Sequence, residues 1–277
     1  QSDWASRMPS GHLLGPGPTA FRIGAGDVFR RRRGGGRIEA RQVALGTNAF
    51  PSLLRRTRLL TVPAPADADW TAAVLAATVP GVKVVAVPNC HWTDGAALDL
   101  AAIGAACRAV GAALVVDATQ SLGAMPLSVD AVQPDFLVSA GYKWLLAPYG
   151  CGLLYVAPRW HGARPLEESW LARAGAEDFA GLVRYADAYR PGARRFDVGE
   201  TCTPTLLPGA IAALQQLRAW GVERIAATLA AVNTRIAAHL QGLGAGVVPA
   251  AQRSPHLLGV RLPESLSSAA AGELVRP

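Results

Sequence analysis

Three apolar runs set the strongest limit on how this chain folds: "KVVAVPN" (83–89), "ALVVDAT" (113–119) and "DFLVSAG" (135–141). Each is too short for a helix and lacks the polar alternation of a half-exposed strand, so each predicts a strand covered on both faces. Helical text lies among them: "WTAAVLAAT" (70–78), and "LDLAAIGAACRAVG" (98–111), whose final Gly111 sits where a C-terminal cap belongs. Strands of this kind alternating with helices predict an α/β fold, a mainly parallel sheet sandwiched by helices. "RQVAL" and "RLLTVPA" add earlier short strands, and "GCGLLYVAP" adds a later one. Residues 208–244 read as two helices closing at Gly221 and near Gly242, and "RSPHLLGVRLP" (253–263) reads as a strand opening a small α+β domain. Fourteen residues follow Pro263, so that domain is expected to be incomplete. The expected organisation is an irregular Gly/Pro/Arg-rich segment over 1–40, a large domain over 41–220 and a partial small domain over 221–277.

Half of the 277 residues are hydrophobic and 17% are charged, with no apolar run of the roughly 18 residues that a membrane span needs. Gln1 to Ser10 is polar and does not read as a secretory signal. Cys90, Cys107, Cys151 and Cys202 are widely spaced without a C-x-x-C pair. That argues against a metal or disulfide framework and for a reducing cytoplasm. The net charge of +7 is partly local, because "FRRRRGGGR" (29–37) carries five arginines and no acid. A solvated low-complexity segment explains that run better than a nucleic-acid-binding arm, since no aromatic platform accompanies it.

Ligands of parallel α/β sheets collect at the carboxyl ends of the strands. Two charged residues stand just there: Asp117 ends one apolar run, and Lys143 follows the next inside "VSAGYKWLLAPYGCG". A lysine in apolar surroundings is costly to keep charged, so it is paired, partly exposed or chemically used. A cofactor with a pyridine ring, an aldehyde and a phosphate would use both residues. The lysine condenses with the aldehyde and a carboxylate keeps the ring nitrogen protonated. An amide can bond the phenolic oxygen, and Gln120 follows Asp117 by three residues.

At "VDATQSLGAMPLSVDAVQPDFLVSAGYKWLLAPYGCGLLYV" the text resembles the class V aminotransferase family of fold-type I pyridoxal-phosphate enzymes. "NCHWTDGA", "ARRFDVGE" and "RSPHLLGVRLP" are similar to its kynureninase-like and isopenicillin-epimerase-like branch. The resemblance runs over about residues 42 to 263. It implies pyridoxal 5'-phosphate as cofactor, Lys143 as Schiff-base lysine, Asp117 as pyridinium partner, Gln120 at the phenolic oxygen and Tyr142 at the phosphate. Phe50 in "AFPSLL" matches the ring-stacking aromatic, with Ser52 beside it.

His91 and Thr93 of "HWTDG" lie near the implied cofactor, His91 also as a substrate contact; a turn-forming Asp94-Gly95 and a packed histidine explain the loop equally well. Arg195 either clamps a substrate carboxylate or forms an ion pair with Asp197 or Glu200. Thr201 and Thr203 follow the loop that in this fold reaches a partner's phosphate across a homodimer interface. The family's phosphate-cradling turn is poorly matched by "SGHLLGPGPTAFRIGAG" (10–26), where Thr19 is the central hydroxyl. The implied activity is that of a pyridoxal-phosphate enzyme acting on an amino acid or amine, nominally by transamination, with epimerisation or elimination sharing the first steps. Cysteine desulfuration needs a nucleophilic cysteine on a late loop, which Cys202 fits only remotely. A family member that binds cofactor or a partner without turnover is the alternative, and nucleic-acid binding through 29–37 a further one.

Overall fold

The computed structural model describes residues 40–44, 57–165, 167–181, 183–184, 186–199 and 203–263. The arginine run, Phe50, Ser52, Thr201, Glu200 and Cys202 lie outside these residues. Six strands form one sheet: β1 (Ala40–Ala44), β2 (Thr57–Thr61), β3 (Val82–Pro88), β4 (Ala113–Asp117), β5 (Phe136–Ala140) and β6 (Gly152–Val156). Their spatial order is β2-β1-β3-β4-β5-β6, parallel except for the antiparallel edge pair β5–β6. The antiparallel edge follows from the short link across residues 141–151, which makes a return and has no room for a crossover helix.

The apolar runs are continuous because both faces are covered. Val85, Val87, Leu114, Val116 and Leu137 point into one core with α1 (Trp70–Ala77) and α2 (Leu100–Val110). Their neighbours Val84, Ala86, Ala113, Val115 and Phe136 point into the other, closed by Val156 and Phe196. Asp69 and Asp99 cap the two helices, each accepting a 2.9 Å bond from a first-turn amide, and Gly111 ends α2 in the left-handed conformation at φ 70. A one-turn helix α3 (Val129–Val132) leads into β5. At its foot the buried Asp135 carboxylate accepts the Leu114 amide at 2.8 Å and the Trp160 indole at 2.5 Å, with Arg159 alongside.

Helices α4 (Leu207–Trp220) and α5 (Val222–Gly242) follow, separated at Gly221 as the sequence predicts. No described helix is long and apolar enough to cross a membrane. "RSPHLLGVRLP" departs from expectation: only Val260–Arg261 is strand (β8), paired antiparallel with β7 (Gly246–Val247). Residues 252–259 instead form an irregular strap over the large sheet's loops. Its backbone groups bond those of another loop, with Ala97 N donating to Gln252 O at 2.7 Å, Ser254 N to Gly95 O at 2.8 Å and Gly259 N to Asp94 O at 3.1 Å. Asn233 of α5 holds the strap from outside through a 2.9 Å bond to Pro255 O. A run of strand-like composition can thus satisfy its backbone on a loop without entering a sheet, with Ser254 and His256 as its buried residues.

Candidate cofactor site

The carboxyl ends of β3, β4 and β5 are side by side, Pro88 opposite Asp117 and Asp117 opposite Val138. Three short turns leave them, and polar side chains tie the turns together. Asn89 N donates to Asp117 O at 3.2 Å, and the buried Asn89 amide donates to Ser121 Oγ at 3.1 Å. Thr119 Oγ1 accepts the Ala140 amide at 3.0 Å, joining the β4 end to the β5 end. Asp117 is half-buried; one carboxylate oxygen accepts Thr119 N at 2.9 Å, an Asx turn that orients the group. Asp117 is thereby the last residue of a strand, and no helix begins on it.

Lys143 sits half-buried in the turn after β5, its Nζ 5.9 Å from the Tyr142 ring centroid. Among the described residues no carboxylate forms an ion pair with it. Tyr142 stacks on Tyr149 at 4.3 Å between centroids. The turn is pinned by Gly141 N to Cys151 O at 2.8 Å and Ala147 N to Gly141 O at 2.9 Å, and Leu146 takes φ 56, unusual for a branched side chain. It also meets the β4 turn directly. Gly123, at φ 100, approaches so closely that a Cβ there would lie 2.4 Å from Trp144 O. The Asp117–Gln120 segment and the Lys143 turn therefore form one packed unit. A half-buried lysine and an oriented carboxylate are groups that could hold an aldehyde-bearing, protonated pyridine.

The 89–97 loop borders this unit. Asp94 accepts the Trp70 indole at 3.0 Å and the Ala96 amide at 2.9 Å, and it faces His91 Nδ1 at 3.0 Å. The His91 ring lies tilted on Trp70, 4.4 Å between centroids, and the exposed Thr93 hydroxyl is 3.0 Å from the same Nδ1. The Asp94 side-chain contacts are internal to the loop and α1, while its backbone carbonyl accepts Gly259 N of the strap. Arg195 donates to Arg190 O at 3.1 Å and to Ala163 O at 3.3 Å and lies near the Tyr189 ring. The neighbour facing Asp197 is Arg194, at 3.8 Å, and not Arg195. Thr203 is exposed at the approach to α4, its carbonyl accepting the Leu206 and Leu207 amides.

Sequence reasoning missed the polar scaffold of Asn89, Thr119, Ser121 and His256. The His256 ring, 7% exposed, contacts the Gln120 carbonyl through Nε2 and meets the Trp144 indole edge-on at 4.7 Å. Asn89 and Thr119 had a readable signal, each a hydrogen-bonding residue within two positions of the end of an apolar strand. His256 had none, because it lies 136 positions from its partner.

Residues 55–275 match the family model "Aminotransferase class-V". The chain is 32% identical to isopenicillin N epimerase of Streptomyces clavuligerus over 145 residues, 52% of this chain and 36% of that protein. It is 37% identical to kynureninase of Deinococcus radiodurans over 128 residues, 46% of this chain and 30% of that one. The chain thus spans about a third of the length of these curated relatives. Among solved structures, a cysteine desulfurase from Thermococcus onnurineus NA1 shares the fold at TM-score 0.67 and 20% identity, covering 82% of this chain and 58% of that one. The matched span and the strand-end unit agree: the chain belongs to the class V aminotransferase family of fold-type I proteins, whose cofactor is pyridoxal phosphate.

Proposed function

We propose that this chain carries the cofactor-holding part of an enzyme that acts on the α carbon of an amino acid or amine. The carrying observation is the packed contact between the Asp117–Gln120 segment and the Lys143 turn, bridged by Thr119 Oγ1 and Gly123. Pyridoxal phosphate, when bound, supplies an electron sink for a carbanion at that carbon. Lys143 Nζ anchors the cofactor and afterwards takes or returns the α proton. It sits half-buried beside Tyr142, in the turn that follows β5. Asp117, oriented by the Thr119 amide, is the partner of the ring nitrogen. Gln120 bonds the phenolic oxygen, Tyr142 meets the phosphate, and Ser52 is a further cofactor-binding residue. Phe50 and Thr93 border the ring, His91 and Arg195 meet the substrate, and Thr201 and Thr203 extend to a partner's phosphate.

Transamination is the reaction assigned first; epimerisation or elimination begins with the same proton removal. A homodimer in the cytoplasm accompanies this reading. Its supports are the half-exposed Ile211 and Trp220 on α4 and the free thiols of the three described cysteines. The test is a visible absorbance band when purified protein meets pyridoxal phosphate, followed by a panel of amino acids. A band that Lys143→Ala removes and that an amino acid shifts supports an enzyme. A band that no amino acid shifts refutes turnover and leaves binding alone.

A further inference from the structure

The strap's one buried titratable group touches both halves of the site, although neither the cofactor chemistry nor the sequence motif calls for it. Gln120 O is an acceptor, so His256 Nε2 carries the proton and donates, and Nδ1 holds the lone pair. Nδ1 is buried with no partner among the described residues. A second proton there would have no acceptor, so the ring is held as a neutral donor aimed at Gln120. On its other side it braces the Trp144 indole, the residue after Lys143, at 4.7 Å and 86°. The strap is itself anchored to the 89–97 loop by Ser254 N and Gly259 N, and to α5 by Asn233.

We propose that His256 is a positioning residue for the cofactor site, clasping the Gln120 peptide and the Trp144 indole so that the carboxyl-terminal strap fixes the spacing between Asp117–Gln120 and Lys143. This rests on the pyridoxal-phosphate reading above. It makes cofactor affinity depend on a residue that touches neither cofactor nor substrate. His256→Leu fills similar volume without a donor, whereas His256→Gln retains an N–H that reaches the Gln120 carbonyl. Val74→Ala, at a fully buried apolar position in α1, serves as a control for loss of stability alone.

Three measurements test it: the pyridoxal phosphate dissociation constant, urea unfolding, and the ¹⁵N signature of the His256 ring in the unloaded protein. His256→Leu is expected to weaken cofactor binding roughly tenfold, the value of about one hydrogen bond. His256→Gln recovers most of that loss, Val74→Ala leaves affinity unchanged, and the unloaded ring shows its proton on Nε2. Affinity within twofold of wild type in His256→Leu overturns the proposal. So does an equal loss in a folded His256→Gln, a loss matched by Val74→Ala, or a ring proton on Nδ1. If wild-type protein binds no pyridoxal phosphate, the cofactor reading itself fails, and the ring signature alone decides the clasp.

Discussion

Gly123→Ala should cost far more stability than an alanine usually does, because two penalties coincide. Gly123 has φ 100, a conformation that costs an L-residue about 1–2 kcal/mol. The added Cβ would also lie 2.4 Å from Trp144 O and 2.9 Å from Trp144 C. These are backbone atoms that cannot rotate away, so the Lys143 turn must shift, at an overpacking cost of about 1–3 kcal/mol. The expected total is about 2–5 kcal/mol. Gly111→Ala isolates the first penalty, since Gly111 has φ 70 and a Cβ added there would meet nothing within 4 Å. Its expected loss is about 1–2 kcal/mol. Urea unfolding of both variants at unchanged m-value measures the difference. Gly123→Ala should also weaken pyridoxal phosphate binding, and Gly111→Ala should not. Equal losses in the two variants, with equal cofactor affinity, would refute the close contact on which the site depends.

Asp135→Ala should destabilise the chain by about 3–5 kcal/mol, because it strands the Leu114 amide and Trp160 indole at a buried position. Arg159, 56% exposed, adds little to that loss, and a urea midpoint close to wild type would contradict the assignment. Burial lowers the His256 pKa from its ordinary 6.5, so the unfolded chain takes a proton first as the pH falls. This group's contribution is full above pH 6.5 and declines as the pH drops from there towards the folded value. His256→Gln should therefore show a shallower loss of stability between neutral and mildly acidic pH, and parallel profiles would contradict it. Burial pushes the Cys90 thiol up to about 11 and the Cys107 thiol up to about 12. Among the described cysteines, iodoacetamide at mildly alkaline pH should label the half-buried Cys151 first, with Cys90 and Cys107 reacting only on unfolding; equal native rates would contradict this.

The central sheet was legible because burial on both faces leaves a local trace: continuous Val, Leu and Ala runs ending in a charged or polar residue. Asp117 and Lys143 were legible for the same reason, as charges where apolar text stops. The strap was not. "HLLGV" has a strand's composition, and what keeps it out of the sheet is backbone bonding to Gly95 and Asp94, more than 150 positions earlier. For Arg195 the expected ion-pair partners were Asp197 or Glu200, and Glu200 lies outside the described residues. Adjacency pairs Arg195 with Asp197, yet the short 3₁₀ turn of Gly192–Phe196 turns Arg194 to that carboxylate and leaves Arg195 on backbone carbonyls. Local pattern reports burial well and says little about which distant carbonyl receives a donor.

The most direct test of the account is to incubate the protein with pyridoxal phosphate, reduce with borohydride and locate the modified residue by peptide mass spectrometry. The account predicts one stoichiometric modification at Lys143, retained but with weaker binding in Asp117→Asn and absent in Lys143→Ala. Modification chiefly at the exposed Lys83, or undiminished in Lys143→Ala, would contradict it.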